Sequence, residues 1–322
     1  MNSNSIDLDP NKIITNYMAL DSYKELDKCI GDYTVNILVE SHPNKTAYAF
    51  YNTGYDENFQ VSQLDIIINS AHDQSDLYTN IDHEYIHACQ GVMEAKVRLA
   101  EGLIKHYNPK TLIAYDLLRE AHAFTYSSEL LFKRYMLQGQ KSENEKRFNP
   151  LYSGNTDDFA YFMFTAYCIG VSGMDYQYFS EKESAIETIQ KTTKGLSKKE
   201  LSDRFQIGRE VAFANFFEPQ QDEEGRCYNG PGLSWYLEQG FRTAEHIINS
   251  YKDMGKHNLG LNTECAVKAL LIENKPFISS KTINAFLDIS DISEITDYLV
   301  KISTEKDDYQ RRLKSLNCSQ RL

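Results

Sequence analysis

Residues His83-Glu84-Tyr85-Ile86-His87 narrow what this chain can fold into more than any other stretch. Two imidazoles four positions apart come within reach of one ion where the backbone between them is an α-helix, with its turn of about 3.6 residues; on a strand they share a face but stand about 13 Å apart. The motif therefore predicts a helix, running over about 75–103, with His83 and His87 turned to the same side. Neutral imidazoles in that arrangement can hold one zinc ion, while the intervening Glu84 faces the water that such an ion activates. A zinc ion lowers the pKa of its water and a carboxylate takes the proton, so the expected chemistry is hydrolysis at a carbonyl. The plainer alternative is a helix whose two histidines hydrogen-bond or lie at the surface.

Within the predicted helix, Ile81, Tyr85, Ala88, Val92 and Met93 make an apolar stripe, and Thr79-x-x-Asp82 resembles a capping box near its start. Gly91, one turn beyond His87, suits close approach by a second helix; a simple bend is an equal alternative. Cys89 falls on the far side, as core.

Catalytic zinc usually takes three protein ligands. A third histidine at the spacing H-E-x-x-H-x-x-G-x-x-H is excluded because position 93 is Met93. Downstream, Ile113, Leu117, Phe124 and Leu131 lie along one helical face, and Glu120 sits within that stripe. A carboxylate on an apolar face is costly unless it is paired or bound to a metal. Ala121 and Ala123 beside it suit a tight helix crossing, so Glu120 is the expected third ligand, with an ion pair at the edge of the core as the alternative. His122 faces roughly the opposite side and reads as a partly buried helix histidine. Asp116, one turn before Glu120, is positioned either to orient a ligating imidazole or to sit in solvent.

His83-Glu84-x-x-His87 followed by Glu120 in a Glu-Ala-x-Ala setting resembles the gluzincin branch of the zincin metallopeptidases. The resemblance implies an α+β, mainly α-helical fold: a small sheet, the motif helix, a glutamate helix and a helical C-terminal lobe. It implies Zn2+ held by His83, His87 and Glu120, Glu84 as general base, and a protein or peptide as substrate. It covers about residues 45–135 and is specific at the motif helix. Thermolysin-like enzymes place an Asp one turn after the ligand Glu, where this chain has Phe124. The chain is therefore closer to poorly characterised bacterial metallopeptidases, some of which are translocated effectors that cut host proteins such as actin. Two further readings stay open: a zinc hydrolase of small amides or peptides, and a non-catalytic binding protein on a zincin scaffold. Retention of Glu84 with both histidines argues against the second. Mixed His and carboxylate ligands also accept other divalent ions.

The chain has 322 residues, 41% hydrophobic and 25% charged, enough for one large domain or two lobes around a cleft. A formal net charge of −12 argues against nucleic-acid binding, which draws on basic contacts to phosphate. The 22 tyrosines suit partly wet surfaces and interfaces. Cys29, Cys89, Cys168, Cys227, Cys265 and Cys318 show no C-x-x-C spacing, which points to reduced thiols. The first residues lack the basic and apolar regions of a secretory signal, so the expected location is cytoplasmic, or a host cell after translocation. Phe159 to Met174 carries no charge but is too short and polar for a membrane span, and reads as a buried helix.

The expected organisation is a metal-bearing lobe over 1–138, a linker or loop over 139–156, and a helical lobe over 157–322. A short helix before Gly31 precedes strands over Lys45–Tyr51 and Val61–Asn69, joined by a turn over Asn52–Glu57. Helices are expected over about 157–178, 181–194, 197–217, 233–252, 261–272, 280–288, 291–302 and 304–316, with Ser197 and Glu200 forming a capping box. Tyr228, Tyr236 and His246 are positional candidates for an oxyanion donor, each of which reads more readily as structural.

Overall fold

The computed structural model describes residues 9–41, 49–56, 61–70, 77–100, 109–138, 159–174 and 182–216, with the short pairs 220–221, 227–228, 271–272 and 275–276. The arrangement is mainly helical around a small sheet. In chain order it runs α1 (Pro10–Met18), α2 (Asp21–Ile30), β1 (Val35–Glu40), β2 (Ala49–Tyr55), β3 (Val61–Asn69), α3 (Leu77–Ala100) and α4 (Pro109–Phe132). A π-helical turn, Lys133–Leu137, extends α4, and α5 (Phe159–Ser172), α6 (Lys182–Thr193) and α7 (Lys198–Phe216) follow. Two short antiparallel ladders complete the described elements: β4 (Gln220–Gln221) with β5 (Cys227–Tyr228), and β6 (Leu271–Ile272) with β7 (Lys275–Pro276).

In the sheet, β3 is central, parallel to β1 and antiparallel to β2. Leu64, Ile66 and Ile68 alternate into the core, at most 1% exposed, which is the period-two pattern the sequence carries over 61–69. The predicted turn over 52–57 is instead strand as far as Tyr55: Asn52, Thr53 and Gly54 pair with Asp65, Leu64 and Gln63. Among the described residues β2 pairs on one side only. An edge strand tolerates polar residues and glycine that a central strand would not. β1 is an addition to the sequence reading; its alternate residues are only half-buried, so its apolar signal is weak. The expected single N-terminal helix is two, with Ala19 and Leu20 between them.

The motif helix α3 packs against β2, β3, α2 and α4. Thr79 and Asp82 do not cap it. Both lie inside the helix and are buried, Asp82 paired with Arg134 of the π-helical turn at 2.8 Å. Tyr17 donates to the other Asp82 oxygen at 2.9 Å. The expected close approach at Gly91 is made by a strand rather than a helix: a Cβ there would overlap the hydroxyl of Tyr51 on β2. Tyr17, Tyr23, Tyr78 and Tyr85 pack ring to ring between the first helices and α3, with centroids 5.7–6.4 Å apart. Tyr17, Tyr78 and Tyr85 are buried, so these tyrosines build core rather than wet surface.

α5 matches the expected uncharged buried helix. It crosses α7 backbone to backbone, because a Cβ on Gly170 would lie 2.7 Å from the Gly208 Cα. α6 and α7 fall where the sequence places them. Ser197 and Glu200 form the predicted box, the Ser197 N–H donating to Glu200 at 2.8 Å and the Glu200 N–H to Ser197 Oγ at 3.3 Å.

A chain of charges joins the helices. Glu129, 3% exposed, accepts from Lys133 at 3.0 Å and from Arg209 of α7 at 2.6 Å. Lys133 also reaches Glu25 of α2 at 2.9 Å.

The linker over 139–156 and the helices expected over 233–252, 280–288, 291–302 and 304–316 lie outside the described residues. At 271–272 the helix expected over 261–272 is replaced by strand, paired with a segment ending in Pro276, a residue that cannot continue a helix. Among the described residues no helix is long and apolar enough to cross a membrane.

Candidate metal centre

One turn of α3 separates His83 from His87, and both rings are buried. α4 packs against this face and delivers Glu120 between them. The His83 and His87 Nε2 atoms are 3.2 Å apart, and each lies 3.3 Å from a different oxygen of Glu120. Ligands about 2.0–2.1 Å from a tetrahedral zinc are about 3.3–3.4 Å from one another. The three side chains present are thus a donor set of the right chemistry and spacing for such an ion. The Glu120 side chain remains 23% exposed, which leaves the cluster a solvent side. Burial pushes the Glu120 carboxyl up, but His87 and His83 beside it outweigh burial and hold it well below the usual carboxylate range.

Glu84 projects from α3 towards the sheet edge. Burial drives its carboxyl up to about 7, and the neighbouring Glu120 adds to the rise; His83, the Tyr51 backbone N–H and Arg119 pull the other way. A Tyr51 N–H that donates to Glu84 points off the side of β2 away from β3. The close packing at Gly91 lets Tyr51 sit there.

A residue that motif reasoning passed over, Gln90, sits one turn beyond His87. Its Oε1 lies 2.8 Å from His87 Nδ1 and accepts from Arg119 Nε at 3.3 Å. Its Nε2 donates to the Arg119 carbonyl at 3.2 Å and lies 2.7 Å from His122 Nδ1. The available signal was its spacing: a residue three after a helical ligand lies on the same face. Phe124, in place of the Asp of thermolysin-like enzymes, lays its ring against His83 with centroids 4.2 Å apart, and Phe216 of α7 stands behind it at 6.2 Å. Among the described residues His83 Nδ1 has no hydrogen-bond partner.

His122 corrects the expectation of a partly buried histidine: it is 1% exposed. Burial, then the neighbouring His87 and Arg209, lower its pKa to about 3. An unfolded chain would bind this proton near pH 6.5, so between pH 6.5 and 3 the unfolded state holds more protons and stability falls with acid. The metal-free protein is expected to lose about 2 kcal/mol through this group between pH 7.5 and 5. Urea unfolding of wild type and His122→Asn at both pH values checks this; equal losses in the two proteins would refute it.

The Asp116 side chain lies outside the described residues, as do those of Tyr228, Tyr236 and His246. No protein-family model, curated protein or solved structure matches the chain.

Proposed function

We propose that this protein is a zinc-dependent hydrolase of peptide bonds with a zincin-like core, in which His83, His87 and Glu120 hold the ion and Glu84 is the general base. The observation that carries the reading is a close set of ligand atoms from two helices: the buried His83 and His87 Nε2 atoms are 3.2 Å apart, and each lies 3.3 Å from one of the two Glu120 oxygens. When bound, the ion supplies a Lewis acid and brings water within reach of deprotonation at neutral pH.

Glu84 is separate from the His83, His87 and Glu120 set but adjacent to it, and a carboxylate there is placed to take a proton and later return it. The hydrogen bond from the Tyr51 N–H holds that carboxyl in place. A peptide is the favoured substrate because, among the described residues, β2 pairs with a strand only on its β3 side while its other side lies next to Glu84, and an extended chain recognises a strand edge through its own N–H and C=O groups. A host protein such as actin is the narrower form of the same proposal.

The test is the metal content of the full chain by mass spectrometry, with wild type compared to Glu120→Ala. About one zinc per chain in wild type, largely lost in the variant, supports the three-ligand site. Wild type that takes up no metal after zinc repletion would sink the proposal. Full retention by Glu120→Ala would remove Glu120 from the ligand set.

A further inference from the structure

We infer that Gln90 is the positioning residue of this site: its amide fixes His87 in the form that can ligate and ties the histidine helix to the glutamate helix. The inference rests on the metal-site reading above. A carboxamide has two donor hydrogens and an acceptor oxygen with two lone pairs. Gln90 uses all four, towards His87 Nδ1, Arg119 Nε, the Arg119 carbonyl and His122 Nδ1.

Only one orientation of the amide satisfies these neighbours. With the two ends exchanged, the NH2 group would face the Arg119 Nε–H, donor against donor, and the oxygen would face the Arg119 carbonyl, acceptor against acceptor. In the orientation present, Oε1 can only accept, so His87 carries its proton on Nδ1. Its Nε2 lone pair is then free and directed at the cluster, where Nε2 lies 3.2 Å from His83 and 3.3 Å from Glu120. A proton on Nε2 instead would block ligation. His122 completes the device: buried on α4, it offers Gln90 a ring nitrogen that accepts, so Nδ1 of His122 is unprotonated.

The carbonyl that Gln90 engages belongs to Arg119, the residue immediately before Glu120. One side chain thereby holds an imidazole from α3 and the peptide that leads into the carboxylate from α4. Groups that orient metal-binding histidines in this way typically change affinity by about 10- to 100-fold when removed.

Three measurements on the full-length chain test this, using zinc, Co2+ and nitrogen-15 histidine spectra as probes. Gln90→Leu is expected to weaken zinc binding by about 10- to 100-fold in a chelator competition and to shift the visible absorption of the Co2+-substituted protein. In metal-free protein, His87 should carry its proton on Nδ1 in wild type and lose that preference in Gln90→Leu. Gln90→Glu keeps the acceptor for His87 and should restore the Nδ1–H form, but its second oxygen would meet the Arg119 carbonyl and His122 Nδ1 acceptor to acceptor, so the affinity should recover only in part. Should Gln90→Leu fail to fold, the glutamate variant decides, since His87 with its proton on Nε2 in Gln90→Glu would overturn the inference. Zinc affinity within about 3-fold of wild type in Gln90→Leu, with an unchanged Co2+ spectrum, would also overturn it. Wild type that binds neither metal would remove the hydrolase reading, and the His87 spectra would still decide the role of Gln90.

Discussion

Glu84→Gln is expected to slow peptide hydrolysis by about 100- to 10,000-fold while leaving one zinc per chain in place. The substitution keeps the shape of the side chain, and its amide oxygen can still accept from the Tyr51 N–H. What it removes is the ability to take a proton. Because Glu84 stands outside the His83–His87–Glu120 triangle, metal content and turnover should separate. Steady-state cleavage of a fluorogenic peptide, read beside metal analysis of the same sample, makes the comparison. Turnover at the wild-type rate would end the general-base assignment, and loss of zinc together with turnover would make Glu84 part of the metal-holding shell.

A comparable loss, in stability rather than rate, is expected for Arg134→Met. Arg134 is 2% exposed and holds Asp82, which is fully buried, at 2.8 Å; it also donates to Ser22 at 3.2 Å and to Thr79 at 3.5 Å. Removing the guanidinium leaves a carboxylate in the core without its cation, which typically costs about 3–5 kcal/mol. Asp82→Asn combined with Arg134→Met should cost much less than the two single changes summed, because the stranded charge is gone. Urea denaturation of the four proteins gives the coupling directly. Additive losses would mean that the pair is not the source of the effect.

The sequence made some of this legible and hid the rest for identifiable reasons. The motif required a helix because its residues carry spacing, and the helix is present over 77–100. Glu120 could be picked out because a carboxylate inside an apolar stripe needs an explanation, and α4 does bring it to both histidines. β3 was legible through Leu64, Ile66 and Ile68. The end of β2 was not, since Asn52, Thr53 and Gly54 resemble a turn until their pairing with β3 is known. Thr79 and Asp82 matched a capping pattern by spacing, and only a distant arginine 52 positions from Asp82 reveals their use. Gln90 was missed because an amide has no motif of its own. Its meaning lies in partners 29 and 32 residues away, which local pattern cannot supply.

The run of charges from Glu25 through Lys133 and Glu129 to Arg209 has a consequence beyond its contribution to stability. Each member is answered by a member on a different turn or a different helix, and the signs alternate. Sliding α4 by one residue, or rotating it by one side-chain position, would aim Glu129 away from Arg209 of α7 and Lys133 away from Glu25 of α2. Apolar contacts forgive such slips, because one aliphatic side chain substitutes for another at modest loss. A buried carboxylate does not. The alternation therefore acts as a combination lock on alignment, admitting one seating of α4 among its neighbours. It is that seating which delivers Glu120, about two and a half turns earlier on the same helix, to the two histidines.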